Sequence, residues 1–242
     1  MSENTKTLEV SVWRGTQEGG GFQTFSVPSQ ESQTVLDVVS WIQQSADPTL
    51  TYRYACRVGM CGSCAMMVNG EPRWTCRTHV SRVLDGNRLE IAPLRNLPVI
   101  KDLAADMDPF FDKWIKAGGV HRPSRTRHEP IQEVSPEEPG RVEANKAIEC
   151  INCSVCYAAC DTVAGNEDYL GPAALQRAWT LFNDAKVQDR GAVLDAVSGS
   201  DGCLNCHTQG SCTRYCPNEL DPLGAIAGLK RAVATSFFRR RA

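Results

Sequence analysis

The chain has 242 residues, a formal charge of −2 and 12 cysteines. That length corresponds to one or two domains, and the small, evenly spread charge argues against a nucleic-acid partner. No run of 18 apolar residues occurs, so we expect no membrane-spanning segment. The start, MSENTKTLEV, lacks the pattern of a signal or transit peptide. Cysteines bunched at metal-ligand spacings indicate a reducing compartment, so the composition predicts a soluble, cytoplasmic metalloprotein.

The first hundred residues predict a small sheet crossed by one helix. The segments with strand or hairpin character are 8–13, 22–27, 65–76 and 88–94. Gly19–Gly21 predicts the turn of the first hairpin, and Asn69–Gly70 predicts the turn of the second. A helix is expected from Thr34, a plausible N-cap, because the apolar residues after it follow helical spacing.

The rest of the chain predicts helices and one irregular connection. Segment 103–117 predicts a helix interrupted near Pro109, and the proline-rich segment 121–140 predicts a linker. Helical spacing of apolar residues returns at 172–182, 191–197 and 223–238. We therefore expect three parts, namely a sheet domain at 1–105, a connection at 106–140 and a helical domain at 141–242.

The first cysteine group has the plant-type spacing of a two-iron, two-sulfide cluster. Its members are Cys56, Cys61, Cys64 and Cys76. Gly59 and Gly62 lie between ligands, where we expect positive φ, so that backbone N–H groups turn toward the sulfur atoms. Four thiolates also suit zinc, which stays the alternative from spacing alone.

A second cysteine pattern occurs twice, once intact and once missing a ligand. The intact copy is Cys150, Cys153, Cys156 and Cys160, and the other is Cys206, Gln209, Cys212 and Cys216 before Pro217. In the bacterial-ferredoxin run, the fourth cysteine ligates the other of two clusters. Exchanging the fourth cysteines predicts a four-iron site of Cys150, Cys153, Cys156 and Cys216. It leaves three thiolates for the last site, those of Cys160, Cys206 and Cys212.

Gln209 predicts that this last site holds a three-iron, four-sulfide centre, because an amide cannot replace a thiolate on a soft iron corner. Cys203 offers another sulfur, but it precedes the run, so we expect a buried spare thiol. Three clusters without a nucleotide-binding or hydrolase motif predict an electron relay whose substrate chemistry lies on another subunit. A structural zinc protein that assembles a complex is the alternative of a different class.

Over nearly its whole length the chain resembles the iron–sulfur subunit of succinate dehydrogenase and fumarate reductase. The segments that carry the resemblance are CRVGMCGSCAMMVNG (56–70), PLRNLPVIKDL (93–103), CINCSVCYAAC (150–160), YLGPAAL (169–175) and CHTQGSCTRYCP (206–217). The resemblance implies an α+β protein. A plant-ferredoxin-like β-grasp domain would be followed by an α-helical bacterial-ferredoxin-like domain.

The same resemblance implies partners and a direction. Electrons would pass from FAD on a flavoprotein subunit, through the [2Fe-2S], [4Fe-4S] and [3Fe-4S] clusters, to quinone at a membrane anchor. The reverse direction, in a quinol:fumarate reductase, is the alternative. The chain would lie peripherally on the cytoplasmic face of the inner or plasma membrane. Whether the anchor carries haem is left open.

The quinone contact is expected around the three-iron site. His207 matches a histidine found in many succinate dehydrogenases and, with Gln209, is the candidate contact; a surface histidine is the alternative. Asp161 stands where proline commonly follows the first three-iron ligand, and Gln209 stands where an apolar residue is usual, which leaves the quinone type open. The tail at 237–242 predicts either a contact with anionic headgroups or an anchor subunit, or a solvated end.

Overall fold

The computed structural model describes residues 6–241, with side chains as far as Phe238. Its contacts divide the chain into two units. The first unit is the chain up to Met107 together with Ile151–Ala159, and the second is Asp108–Cys150 and the chain from Cys160. Compared with the predicted division, 108–140 joins the second unit and 151–159 joins the first. The arginine side chains of the predicted headgroup contact at 237–242 lie outside the described residues.

A five-stranded mixed sheet forms the framework of the first unit, in the order β2-β1-β5-β3-β4. The strands are β1 Thr7–Thr16, β2 Gly19–Pro28, β3 Ala65–Val68, β4 Glu71–Trp74 and β5 Arg88–Ala92, followed by a separate hairpin of β6 Val99–Lys101 and β7 Ala104–Ala105. β1 pairs antiparallel with β2 and parallel with β5, and β3 pairs antiparallel with β4 and β5. The predicted strands are confirmed; the β6–β7 hairpin was not expected.

The first hairpin turns at a different place from the predicted one. Thr16 pairs with Gly19, so Gln17 and Glu18 form the turn and the three glycines begin β2. A Cβ on Gly20 would lie 2.3 Å from the carbonyl oxygen of Arg14. The glycines therefore allow close approach to β1 and are not the site of chain reversal.

Helix α1, Val35–Trp41, begins at the predicted N-cap. The Thr34 side chain accepts a hydrogen bond from the Asp37 N–H, and the Asp37 carboxylate accepts one from the Thr34 N–H at 2.9 Å. This reciprocal pair is a capping box, which satisfies two N–H groups at the helix start. The apolar face of α1 packs with the alternating buried residues of β1 in one hydrophobic core.

Arg14 joins the end of β1 to two loops of the same unit. Its guanidinium contacts Asp47 at 2.5 Å and Asp102 at 3.0 Å. Asp102 is only 2% exposed and also accepts hydrogen bonds from the N–H groups of Gly15 and Thr51. Since Asp102 lies between β6 and β7, its buried carboxylate ties that hairpin to the end of β1 and to Thr51.

The helices after α1 are mostly in the second unit. They are α2 Asp108–Lys116, α3 Pro139–Ile148, α4 Val155–Ala158 (in the first unit), α5 Asp161–Gly165, α6 Pro172–Asn183, α7 Arg190–Ala196, α8 Ser211–Arg214 and α9 Pro222–Arg241. Helix α6 is central, because α2, α3, α7 and α9 all contact it. A Cβ on Gly228 of α9 would lie 2.6 Å from the Trp179 ring, so this glycine sets the approach of α9 to α6. Within residues 6–241, no helix is both long enough and apolar enough to span a bilayer.

The three long helices predicted beyond residue 170 are confirmed, but the helix predicted at 103–117 begins later. Pro109 is the second residue of α2, where a missing N–H removes no helical hydrogen bond, so it starts the helix and does not interrupt it. The proline-rich segment contains no helix or strand until Pro139, which opens α3.

Candidate iron–sulfur centres

The first cysteine loop has the backbone curl that its glycines predicted. Gly59 and Gly62 have φ of +75° and +71°. The N–H groups of Val58 and Met60 donate to Cys56 Sγ at 3.5 and 3.2 Å. Such a concave run of N–H groups stabilises negative charge on sulfur. The backbone of the loop therefore directs two N–H donors at the sulfur of Cys56.

Two other cysteines of this group, Cys61 and Cys76, differ in exposure and in pKa. Ser63 donates its hydroxyl to Cys61 Sγ at 3.0 Å, and this bond contributes most to lowering the pKa of the exposed Cys61 thiol to about 6. Burial, followed by the neighbouring Cys64, raises the pKa of the Cys76 thiol to about 12. Cys76 N–H donates to Cys64 Sγ at 3.4 Å. Metal binding at this site must therefore displace the proton that the buried Cys76 thiol holds tightly.

The first cysteine loop lies directly against part of the second cysteine run. A Cβ on Gly62 would come within 2.6 Å of Cys153 Cβ and 2.7 Å of its Cα. In the same unit, α4 contacts β4, and Asn96 Nδ2 donates to the carbonyl of Tyr157 at 2.9 Å. These contacts place Cys153 beside the two-iron loop, an arrangement suited to electron transfer between neighbouring centres.

The remaining predicted four-iron ligands are Cys150 and Cys216, both in the second unit. Asn218 Nδ2 donates to the Glu149 carbonyl at 2.8 Å, which ties the residue before Cys150 to the segment that follows Cys216. In the first unit, Cys156 lies in α4, whose first turn follows Ser154 at φ +59°. Among the described side chains, no three His, Cys, Asp or Glu residues surround a single metal-ion position. The grouping of the four thiols on one cluster stays a prediction.

The three thiols predicted for the last site line one cavity in the second unit. Cys160, Cys206 and Cys212 share it with Tyr169 and Gln209. Burial, and then the neighbouring Cys160 and Cys206, raise the pKa of the Cys212 thiol to about 11. The structure therefore brings together the three predicted ligands and the residue that interrupts their motif, a donor set that fits a centre with three thiolates.

The backbone around this cavity curls as the two-iron loop does. Thr208 has φ +64°, a left-handed conformation that β-branched residues rarely adopt. Its N–H donates to Cys206 Sγ at 3.4 Å. His207 and Gln209 are exposed at the rim of the cavity, whereas Cys203 is fully buried in the preceding turn. The quinone contact at His207 and Gln209 and the spare role of Cys203 stay predictions.

Two residues that contact the last site were not found from the sequence. Tyr169 is 1% exposed and lines the cavity with Cys206; burial, then the charges of Cys206 and Cys160, raise the pKa of its phenol far above the ordinary value. Lys230 of α9 donates to the Cys206 carbonyl at 2.7 Å. Neither residue has a diagnostic spacing from the cysteines, so only the tertiary fold reveals them.

Comparisons with known proteins identify two iron–sulfur domains in the chain. A family model described as a 2Fe-2S iron-sulfur cluster binding domain matches residues 7–112, and a 4Fe-4S dicluster domain matches residues 149–221. The fumarate reductase iron–sulfur subunit of Mycobacterium tuberculosis is 34% identical over 96% of this chain and 94% of its own length. That of Haemophilus influenzae is 32% identical, covering 92% and 91%.

Two further likenesses extend the comparison. The mitochondrial succinate dehydrogenase [ubiquinone] iron–sulfur subunit 1 of Oryza sativa subsp. japonica is 34% identical over 94% of this chain and 82% of its own length. A chain of the Mycobacterium smegmatis Sdh1 complex in the apo form superposes with a TM-score of 0.85 at 25% identity, covering 97% of this chain and 98% of that one.

The sheet unit, the helical unit and the cysteine loops define an iron–sulfur protein that carries electrons. The chain belongs to the family of iron–sulfur subunits of fumarate reductase and succinate dehydrogenase, as its resemblance predicted. It is therefore a subunit of an oxidoreductase, and partner subunits are implied. Both matched domains are iron–sulfur domains, which decides against the zinc alternative.

We predict that Gly62→Ala disrupts the two-iron site more than Gly70→Ala does. Both glycines have φ above +70°, so alanine at either position incurs a left-handed cost of about 1–2 kcal/mol. Only at Gly62 does the new methyl meet Cys153, since nothing lies within 4 Å of a Cβ on Gly70. We expect reduced iron and sulfide content and a weakened EPR signal of the reduced two-iron cluster in Gly62→Ala alone. Equal losses in the two variants would show that backbone strain, not the contact with Cys153, matters.

Proposed function

We propose that this chain carries electrons from FAD on a flavoprotein subunit to quinone at a membrane anchor in a succinate:quinone oxidoreductase. The ligand sets would be Cys56, Cys61, Cys64 and Cys76 for [2Fe-2S]; Cys150, Cys153, Cys156 and Cys216 for [4Fe-4S]; and Cys160, Cys206 and Cys212 for [3Fe-4S]. Bound clusters accept and release one electron at a time. The sheet unit would be a plant-ferredoxin-like β-grasp domain and the helical unit a bacterial-ferredoxin-like domain. The subunit would lie peripherally on the cytoplasmic face of its membrane.

The observation that carries the proposal is the cavity of three thiols. Cys160, Cys206 and Cys212 meet there, and Gln209, which occupies the place of a fourth thiolate in the motif, lies at the rim. An amide oxygen is a poor ligand for a soft iron corner. Three thiolates therefore favour a three-iron centre, which fits the terminal member of a succinate-to-quinone relay.

Exposed apolar side chains support a partner at the two-iron loop. Val58 and Met60 are 59% and 69% exposed, although each lies between cysteines of the loop. Large apolar side chains left in water beside a redox site are typical of a surface that another protein covers. We assign this surface to the flavoprotein subunit.

The rim of the three-thiol cavity supports a different partner. Leu204, 57% exposed, lies two residues before Cys206, and His207 and Gln209 provide polar side chains at the same rim. An imidazole and an amide can hydrogen-bond the carbonyl oxygens of a quinone, and an exposed leucine suits an apolar anchor. We therefore place the quinone contact at His207 and Gln209, with the membrane anchor over Leu204.

We predict that Gln209→Cys converts part of the last site to a four-iron centre. A thiolate at position 209 would supply the missing ligand, so the three-iron EPR signal of the oxidised complex should fall and the iron content per chain should rise. Gln209→Ala is the matched control and should keep the three-iron signal, because it adds no sulfur. An oxidised wild-type complex with no three-iron signal would contradict the assignment of this centre.

The direction of electron flow can be tested by comparing two rates. We expect the purified complex to reduce quinone with succinate faster than it reduces fumarate with quinol, in membranes or detergent with the same quinone pool. The opposite ratio would support the reverse relay.

We predict that Met60→Glu weakens association with the flavoprotein subunit. Covering an unpaired carboxylate costs at least about 1.4 kcal/mol, which is about tenfold in affinity. The backbone N–H of Met60 still reaches Cys56, so the two-iron EPR signal should be retained. The readout is FAD content per chain after purification. Phe22→Glu, at a 51% exposed position in β2, is the control and should co-purify normally; equal loss in both variants would argue against this surface.

A further inference from the structure

Tyr169 is the least exposed tyrosine among the described residues, at 1%. It lies between α5 and α6 in a turn that Asn166 holds: the Asn166 side chain accepts from the Asp168 N–H at 3.0 Å and its carbonyl accepts from the Tyr169 N–H at 3.2 Å. The next residue, Leu170, donates its N–H to the Asp201 carbonyl at 2.9 Å. The backbone on both sides of Tyr169 is therefore held by hydrogen bonds, and packing holds its buried ring in one direction.

That direction is into the three-thiol cavity. Tyr169 lines the cavity together with Cys160, Cys206 and Cys212, so its hydroxyl lies in the same small space as the Cys206 sulfur. A buried hydroxyl needs a hydrogen-bond partner, and a cysteine that binds iron has no proton to donate. The phenol must then be the donor and the Cys206 sulfur the acceptor.

A hydrogen bond from the Tyr169 hydroxyl to the Cys206 sulfur would affect the reduction of the cluster that Cys206 would bind. Reduction adds negative charge to the iron–sulfur core and its ligand sulfurs, and hydrogen bonds to those sulfurs stabilise the reduced form. The Thr208 N–H also donates to Cys206 Sγ, but as a backbone group it is not altered by side-chain substitution. Tyr169 is thus a side-chain donor to a ligand of this cluster.

We propose that the Tyr169 hydroxyl, by donating to Cys206 Sγ, raises the reduction potential of the three-iron centre and so makes it a better acceptor from the preceding cluster. The inference rests on the proposed function, because it requires that Cys206 bind a three-iron centre. Tyr169 is a positioning residue, because it acts on the cluster only through the sulfur of Cys206.

The test is a redox titration of the Tyr169→Phe complex followed by EPR. Phenylalanine keeps the ring and removes only the hydroxyl, so we expect the midpoint potential of the three-iron signal to fall while those of the other two clusters do not move. Those two clusters are internal standards. Tyr52→Phe is the matched control, because it also removes one phenol oxygen, one that hydrogen-bonds Ser40 and Gln43 and not a cysteine. It should leave the three-iron potential unchanged.

A second readout detects the hydrogen bond itself. Pulsed EPR of the wild-type complex in H2O and D2O should show an exchangeable proton coupled to the three-iron centre, and Tyr169→Phe should lack it. Normal three-iron signals with unshifted potential and unchanged proton coupling would overturn the inference while leaving the proposed function intact. Loss of the signal in Tyr169→Phe would also overturn it, since the hydroxyl would then serve assembly. Absence of the signal from wild type would overturn the proposed function.

Discussion

The cysteine-bearing parts of this protein depend on one constraint: a short loop must turn several sulfur atoms and several backbone N–H groups toward the same point. A chain that does this passes through left-handed backbone angles. The residues concerned are Arg57, Gly59 and Gly62 in the first loop, Asn152 and Ser154 in the second, and Thr208 and Gly210 in the third. Four of the seven are not glycine, and each costs about 1–2 kcal/mol in this conformation. Packing around the loops and bound metal must offset that cost, so these loops and their clusters depend on each other.

The same constraint explains how the second cysteine run is distributed. Cys153 is fixed in the first unit, where Gly62 has no side chain to hold it away and Asn96 binds the carbonyl of Tyr157. Cys150 is fixed in the second unit through the hydrogen bond from Asn218 to Glu149. Each unit therefore orients part of one ligand run through its own contacts. A boundary drawn from composition alone, at residue 140, has no means of showing this.

The structural features that could be predicted from the sequence are those that depend on neighbouring residues along the chain. The Thr34 cap, the Asn69–Gly70 turn and the positive φ of Gly59 follow from short-range geometry. The turn predicted at Gly19–Gly21 was wrong because glycine is needed both in tight turns and where two strands pair closely. The sequence alone does not distinguish these two requirements. Pro109 starts α2 and does not interrupt it; apolar spacing alone does not fix the first residue of a helix, and proline is tolerated in the first turn.

The candidate site could also be predicted only in part from the sequence. Cysteine spacing and the odd residue Gln209 identified the three-thiol cavity, because ligand geometry imposes spacing on the chain. Tyr169 and Lys230 reach Cys206 from other elements, and no spacing rule links them to it. The cavity thus has a buried side, where Tyr169 lies with the predicted ligand Cys206, and an exposed side formed by His207 and Gln209. Burial and donors to sulfur govern a cluster's potential, whereas contact with an acceptor needs an open rim. Because these tasks fall on opposite sides, the polarity at position 209 can change with the acceptor while the donor to Cys206 stays in place.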